Sequence, residues 1–217
     1  MISWQQVRTL LLDMDGTLLD LHYDNHFWLE HVPRRYAERY SLTIDDAKTA
    51  LIERYREVEG SLDWYCVDFW TRELGLDIPA LKTEVDHLIT VRPYVIDFLD
   101  AARALGKRLV LVTNAHQKVL QLKMEHTGLE RHFDTLISAH TMGVPKEQRA
   151  FWHAIQAIEP FEPSTTVFID DSVPALRAAR DYGIAQLLTI TKPDSRQPEK
   201  QIDEFPAIRS FGDVIPC

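Results

Sequence analysis

V-R-T-L-L-L-D-M-D-G-T, residues 7–17, sets a short aliphatic run directly before an aspartate, with a glycine three residues further on. A run of this length bounded by a turn signal reads as a buried strand that delivers its last side chain to the edge of a sheet. Four further segments share the pattern: 107–114 (K-R-L-V-L-V-T-N), 134–139 (D-T-L-I-S-A, weaker), 165–171 (T-T-V-F-I-D-D) and 184–190 (I-A-Q-L-L-T-I). Helical spacing fills 93–105, 117–127, 146–159 and 173–182. Gly106 and Gly128 mark helix ends, Pro163 precedes a strand, and Gly183 follows the helix that Pro174 opens. Strands alternating with helices predict right-handed crossovers and an α/β fold, a Rossmann-like parallel sheet covered by helices on both faces.

Residues from about 20 to 88 break this alternation. Apolar and aromatic residues recur there at three- and four-residue spacings, predicting helices over 24–40, 45–59, 62–74 and 79–89. The expected organisation is a core domain of residues 1–19 and 89–217, with a small helical cap domain, 20–88, inserted after the first strand. Trp28, Tyr36, Trp64, Tyr65, Phe69 and Trp70 all fall in the insert. Most are expected to form its core, and a few to line a ligand pocket. The stretch 191–217 is polar and then weakly apolar, with a short helix expected between Pro206 and Pro216.

Composition narrows the functional classes. The chain has 217 residues and 45% hydrophobic content, enough for a sizeable core. Its 33 acidic residues outnumber 24 basic ones, for a net charge of -9, and no dense Lys/Arg block occurs. A nucleic-acid polymer is therefore a disfavoured partner. No run reaches the roughly 18 apolar residues of a membrane span, and no signal peptide pattern opens the chain, so a cytoplasmic protein without membrane contact is expected. Cys66 and Cys217 form no disulfide framework or C-x-x-C motif, and Cys217 reads as an exposed terminal thiol. A homo-oligomer stays open, although no surface stripe demands one.

Chemistry is expected where the strands end, because ligands of open parallel sheets bind beyond the carboxyl ends of the strands. Asp13 and Asp15 belong to one end, Thr113 and Asn114 to a second, Asp170 and Asp171 to a third. Lys146 follows the 134–139 strand and is expected to begin a helix. Four carboxylates on one rim would repel one another unless a hard cation neutralised them. Magnesium, with its oxygen ligands, fits and pairs with a phosphate oxygen. Lys146 would offset charge on a transferring phosphoryl group. Each residue also has a plainer use. A strand-end aspartate often caps a helix or forms a turn, Thr113 alone could be a cap, and a lysine is more often solvated. Paired aspartates at a buried strand end are harder to explain without a metal.

D-M-D-G-T-L at 13–18, T-N at 113–114, Lys146 and I-D-D-S at 169–172 resemble, in order, the four motifs of the haloacid dehalogenase-like superfamily. The helical insert resembles the small cap of its phosphoglycolate-phosphatase-like branch. D-N-H-F-W at 24–28, L-D-W-Y-C at 62–66, N-A-H at 114–116, E-H-T-G-L at 125–129 and P-K-E at 145–147 further resemble bacterial purine 5′-nucleotidases acting on GMP and IMP. The resemblance implies that Asp13 is the nucleophile and a ligand of Mg2+. Asp15 would be the general acid and base, its main-chain carbonyl also meeting the metal. Asp171 would be the direct carboxylate ligand and Asp170 would hold a water of the metal, with an exchange of those two roles left open. Thr113, Asn114 and Lys146 would bind phosphate, with Gly16 and Thr17 shaping the turn that lets main-chain N–H groups approach it. Many relatives place proline directly after this lysine, whereas here Pro145 precedes it and Glu147 follows.

Tyr23, Asn25, His26, Trp64 and His116 are candidate specificity residues, by ring stacking or by meeting a base edge or sugar, with interior packing or capping as the alternative for each. Lys118 and Lys123 fall within a helix pattern and are left out of the site. Nine histidines occur, but no H-E-x-x-H and no tight His/Cys cluster in sequence, which speaks against zinc hydrolysis. The reaction implied is magnesium-dependent hydrolysis of a nucleoside 5′-monophosphate through an aspartyl-phosphate. Three alternatives stand beside it: a phosphatase for a sugar phosphate or phosphoglycolate, a phosphomutase, and a noncatalytic nucleotide-binding module.

Overall fold

The computed structural model describes residues 2–216. Cys217, read above as a terminal thiol, lies outside the described residues. Six parallel strands form one sheet: β1 (Thr9–Leu12), β2 (Arg108–Thr113), β3 (Thr135–Ser138), β4 (Thr166–Ile169), β5 (Gln186–Ile190) and β6 (Ala207–Ile208). Their spatial order is β3-β2-β1-β4-β5-β6. The chain builds outward from β1 on one side and then crosses to build the other side. The topological switch therefore falls at the carboxyl end of β1, where such sheets open a crevice.

Five helices follow β1: α1 (His22–His26), α2 (Val32–Tyr40), α3 (Ile44–Val58), α4 (Val67–Leu74) and α5 (Ile78–Glu84). Then come α6 (Val95–Ala104), α7 (Gln117–Thr127), α8 (Arg149–Ile155) and α9 (Val173–Tyr182). The expected α/β fold with a Rossmann-like parallel core stands. Its strands read as unbroken apolar runs because both faces are covered. On one face Leu10, Leu12, Leu109, Leu111, Val167 and Ile169 pack towards α6, α7 and the helices of 22–88. On the other, Leu11, Val110, Val112 and Phe168 pack on Phe151, Trp152, Ile155 and Leu176 of α8 and α9. The period of two along a strand sorts alternate residues between these layers.

Two expectations need correction. Lys146 does not open a helix. It sits in a turn, closed by Gln148 N–H donating to Pro145 O at 3.1 Å, and α8 begins at Arg149. Pro145 lacks a donor and Asn114 takes up the Lys146 N–H, so the chain turns before it coils. In the 191–217 stretch the short helix expected between Pro206 and Pro216 is a single 3₁₀ turn, and a strand comes before it. Ala207–Ile208 pairs with β5 as a sixth strand, and the 3₁₀ turn at Phe211–Val214 follows, started by a Ser210–Asp213 capping box. Two strand residues are too few for a period to show in sequence.

The 22–88 helices share a single apolar core with the sheet face they cover. Between α1 and α2 the backbone widens into one π turn, Phe27–His31. Trp28, Tyr55, Trp64 and Trp70 meet there, with Tyr55 edge-on to Trp28 (5.7 Å), Trp64 (5.7 Å) and Trp70 (5.1 Å). Edge-to-face contacts of this kind add to the burial of the rings themselves. Tyr36 and Trp70 are buried as core residues, as expected for most of the aromatics.

Candidate active site

Asp13 continues β1 past its last paired residue, and its N–H still donates to Ile169 O at 3.0 Å. That bond aligns it with Asp170, the residue after β4. One carboxylate oxygen from each of Asp13, Asp170 and Asp171 lies within 4.8 Å of the others. The Lys146 ammonium donates to Asp13 Oδ1, to Asp170 Oδ2 at 2.7 Å and to Val112 O at 3.2 Å. One lysine thus serves two of the three acids. Burial, then the charge of Asp170, raises Asp13 to about 7 against the opposing pull of Lys146. Burial, then Asp13, raises Asp171 to about 7, and burial raises Asp170 to about 6. Burial acts against the Lys146 ammonium, but Asp13 and Asp170 overcome it and hold the lysine well above its ordinary range. The surplus of negative charge and the all-oxygen donor set fit a hard divalent cation.

The supports of Lys146 are themselves fixed. Asn114 Oδ1 accepts from its main-chain N–H at 2.9 Å, and Trp152 Nε1 donates to its carbonyl at 2.9 Å. Asn114 Nδ2 is committed to Glu147, at 3.0 and 2.9 Å. The amide expected to add donors to a phosphate therefore holds the lysine turn. Thr113 Oγ1 accepts from Ala115 N–H at 3.0 Å, which leaves its own hydroxyl hydrogen for another acceptor. Gly16 is required for a different reason than expected. Its φ is +88°, and a Cβ there would lie 2.7 Å from the Asp171 carboxyl carbon. Its N–H donates to Leu19 O at 2.8 Å, so it shapes the turn and seats Asp171 without offering that donor to a ligand. Thr17 is buried beside it, its hydroxyl without a partner among the described residues.

A second charge cluster adjoins the first, and of its four members reading the sequence found only Asp15. Lys123, set aside as part of a helix, donates to Asp15 Oδ1 at 2.6 Å and to Asp24 Oδ2 at 2.6 Å. Lys82 donates to the other Asp24 oxygen at 3.0 Å and lies 4.1 Å from the Phe27 ring centre. Two acids and two lysines balance there. Burial works against the Asp24 carboxylate, but the two ammonium groups outweigh it and hold Asp24 below its ordinary range. Asp15 stays raised by burial, opposed by Lys123. Nothing local in sequence marks Lys123. The available clue was its place on the first helix after β2, whose start adjoins the Thr113–Asn114 strand end.

A cavity of about 340 Å³ opens over both clusters. Its floor includes Asp13, Asp15, Thr113, Lys146 and Asp170, and its walls include Asn25, Trp28, Tyr55, Trp64, Tyr65 and His116. Asn25 Nδ2 is bound to Asp194 Oδ2 at 2.7 Å. The Tyr65 hydroxyl donates to Glu147 at 3.0 Å and so ties the helical insert to the lysine turn. His116 also caps α7, its Nδ1 accepting from Lys118 N–H at 3.3 Å. Tyr23 and His26 do not line this cavity. Tyr23 is buried, with its hydroxyl donating to Lys82 O at 3.0 Å, and the His26 ring lies against His22.

A parallel sheet whose central strand ends in a lysine-paired aspartate, with two more acids on the neighbouring strand end, defines a hydrolase of the haloacid dehalogenase-like type. The family profile of the haloacid dehalogenase-like hydrolases matches residues 7–183, and the chain belongs to that family. Among curated relatives it is 44% identical to the GMP/IMP nucleotidase YrfG of Escherichia coli (strain K12), over 99% of this chain and 97% of that one. It is 26% identical to a phosphoglycolate phosphatase of Chromobacterium violaceum, over 86% of each chain. Among solved structures it resembles an HAD phosphatase from Thermococcus onnurineus, with a TM-score of 0.80, 22% identity and 96% of each chain covered.

Proposed function

We propose that this chain is a phosphoric monoester hydrolase that converts purine nucleoside 5′-monophosphates, GMP and IMP, to nucleoside and phosphate through an aspartyl-phosphate. The carrying observation is the convergence of Asp13, Asp170, Asp171 and Lys146 at the switch point beneath an aromatic-walled cavity. The purine preference draws on the 44% identity to a GMP/IMP nucleotidase. Residues 20–88 act as a cap over a core of 1–19 and 89–217.

In this reading an Asp13 carboxylate oxygen attacks phosphorus. The bond from phosphorus to the ester oxygen breaks, and Asp15 gives its proton to the departing oxygen. Burial favours the protonated Asp15 that this step needs, and the Lys123 ammonium keeps it from holding the proton too firmly. Asp15 then takes a proton from the water that cleaves the acyl-phosphate. Lys146 offsets charge on the phosphoryl oxygens and on Asp13, and the Thr113 hydroxyl donates to phosphate. Asp13, Asp171 and the Asp15 carbonyl would hold Mg2+, with Asp170 behind them, and the ion when bound neutralises charge between the carboxylates and the phosphate. The insert shields the acyl-phosphate from bulk water.

Phosphate release from GMP, IMP, AMP, pyrimidine nucleotides, phosphoglycolate and sugar phosphates tests this, with Mg2+, with chelator and with Asp13→Asn. Release that needs both Mg2+ and Asp13, and is fastest on GMP and IMP, is expected. Faster release from another ester would overturn the substrate assignment, and retention of every ester would overturn hydrolysis.

A further inference from the structure

Cys66, His116 and His140 are far apart in sequence, yet one ligating atom from each lies within 4.8 Å of the others. Cys66 belongs to the insert and caps α4. His116 follows the end of β2, and His140 sits in the 3₁₀ turn after β3. The trio therefore spans the seam between insert and core, next to the cavity wall at Trp64, Tyr65 and His116.

We propose that Cys66, His116 and His140 form a second metal site, for a thiophilic divalent cation of the zinc class, distinct from the carboxylate site beneath it. One thiolate and two imidazoles suit zinc and not magnesium. Ligand atoms around tetrahedral zinc stand roughly 3.3–3.7 Å apart, so the trio closes on an ion by shifts of about 1 Å. His140 is already in ligating form. Its Nε2 is buried and has no hydrogen-bond partner among the described residues, an arrangement that costs free energy unless an ion or other ligand is bound. Burial, then repulsion by His116, lowers His140 to about 4, so its ring is neutral at physiological pH, while the Asn114 main chain favours a proton on the other nitrogen. Asp68, whose carboxylate is 3.7 Å from His116 Nε2 and is paired with Lys118 at 2.6 Å, lies beside the trio without belonging to it, which leaves the fourth position to water. On binding, the thiol proton leaves to solvent and a metal–sulfur bond forms.

The consequence is a staple. An ion held by all three residues would pin the segment carrying Trp64 and Tyr65 to the strand ends of the core. The site stands on its own geometry, while its effect on turnover rests on the hydrolase reading. Pinning would slow the opening that admits substrate and releases product, so zinc would inhibit in the presence of excess Mg2+.

Cobalt(II) titration tests the site directly. One equivalent is expected to raise a cobalt–thiolate charge-transfer band, and zinc to erase it. Cys66→Ser keeps an oxygen acceptor at the α4 cap, so the fold and the basal activity are expected to persist while the band disappears. His140→Ala is expected to weaken cobalt binding at least tenfold. In phosphate-release assays at saturating Mg2+, both variants are expected to need at least tenfold more zinc for half-inhibition. No band in the unaltered protein would overturn the site, as would a band that survives Cys66→Ser and so comes from Cys217. Equal zinc inhibition in all three proteins, with the band present, would place inhibition at the carboxylates and overturn the staple.

Discussion

Two charge clusters lie side by side under the cavity, and they are built on opposite principles. Asp13 and Asp170 share Lys146, Asp171 stands beside them without an ammonium partner, and all three carboxyls are pushed up towards neutrality. Asp15 and Asp24 share Lys123 and Lys82, a balanced set in which Asp24 is held below its ordinary range. The first cluster is left wanting positive charge, which a cation and a reacting phosphate site require. The second is complete without a ligand. It fixes Asp15 and joins the insert, which carries Asp24 and Lys82, to α7, which carries Lys123. In the proposed mechanism the unbalanced cluster is the place of chemistry and the balanced one its support.

Breaking the unbalanced cluster should have the largest effect. Asp13→Asn removes the proposed attacking oxygen and is expected to lower kcat by at least about 10⁴-fold. It also removes one repelling charge, so the metal-free melting temperature should hold or rise. A melting temperature that fell sharply would show Asp13 to be a structural partner of Lys146 first. Lys146→Met is the next test. It leaves buried carboxylates without their ammonium, and an expected loss of about 10²–10³-fold in kcat should accompany about 3–5 kcal/mol of stability lost at neutral pH. Steady-state kinetics and urea unfolding read the two effects separately.

The balanced cluster should respond differently. Lys123→Met is expected to lower kcat by roughly tenfold to a hundredfold, a part of what general acid–base catalysis supplies. Lys123 lowers the Asp15 pKa, so its loss should move the titration assigned to Asp15 to higher pH in the rate profile. An unchanged profile would reduce Lys123 to a packing role.

Proton linkage sharpens the same contrast. Asp13 and Asp171 stand at about 7 in the folded chain against an ordinary carboxylate value of 3.8. Between those values the folded chain binds more protons than the unfolded chain, so metal-free stability falls as pH rises through that window. A cation must displace those protons, so the rise in melting temperature on adding Mg2+ should be larger at about pH 8 than at about pH 5. A Mg2+ shift independent of pH would mean that the ion binds elsewhere. The smallest effect is expected at the cavity wall. Trp64→Ala should cost about 1 kcal/mol in kcat/KM on GMP, as for a lost base–aromatic stack, and little on phosphoglycolate. Equal losses on both esters would assign Trp64 to packing alone.

The unbalanced cluster was legible because its members are local consequences of strand ends. Asp13 closes a leucine run, and Asp170 and Asp171 close another. A parallel sheet must bring such ends to one edge, whatever the side chains further out do. Asp24, Lys82 and Lys123 each sit within ordinary helical patterns, and only the packing of α1, α5 and α7 makes them one network. The specificity candidates divide in the same way. Asn25, Trp64 and His116 reach the cavity wall, while Tyr23 and His26 lie on other faces of the α1 helix that carries Asn25 and turn elsewhere.

By itself the sequence determined the alternation of strands and helices and the run of helices after β1, and it placed acids, a threonine and a lysine near the strand ends, because strand period and strand-end chemistry are local properties. Only the tertiary structure decided that Asn114 braces the lysine turn, that Ala207–Ile208 joins the sheet, that Lys123 reaches Asp15, and that Cys66, His116 and His140 meet. Each of those contacts joins residues brought together by packing of separate elements, and such packing leaves no period or spacing along the chain.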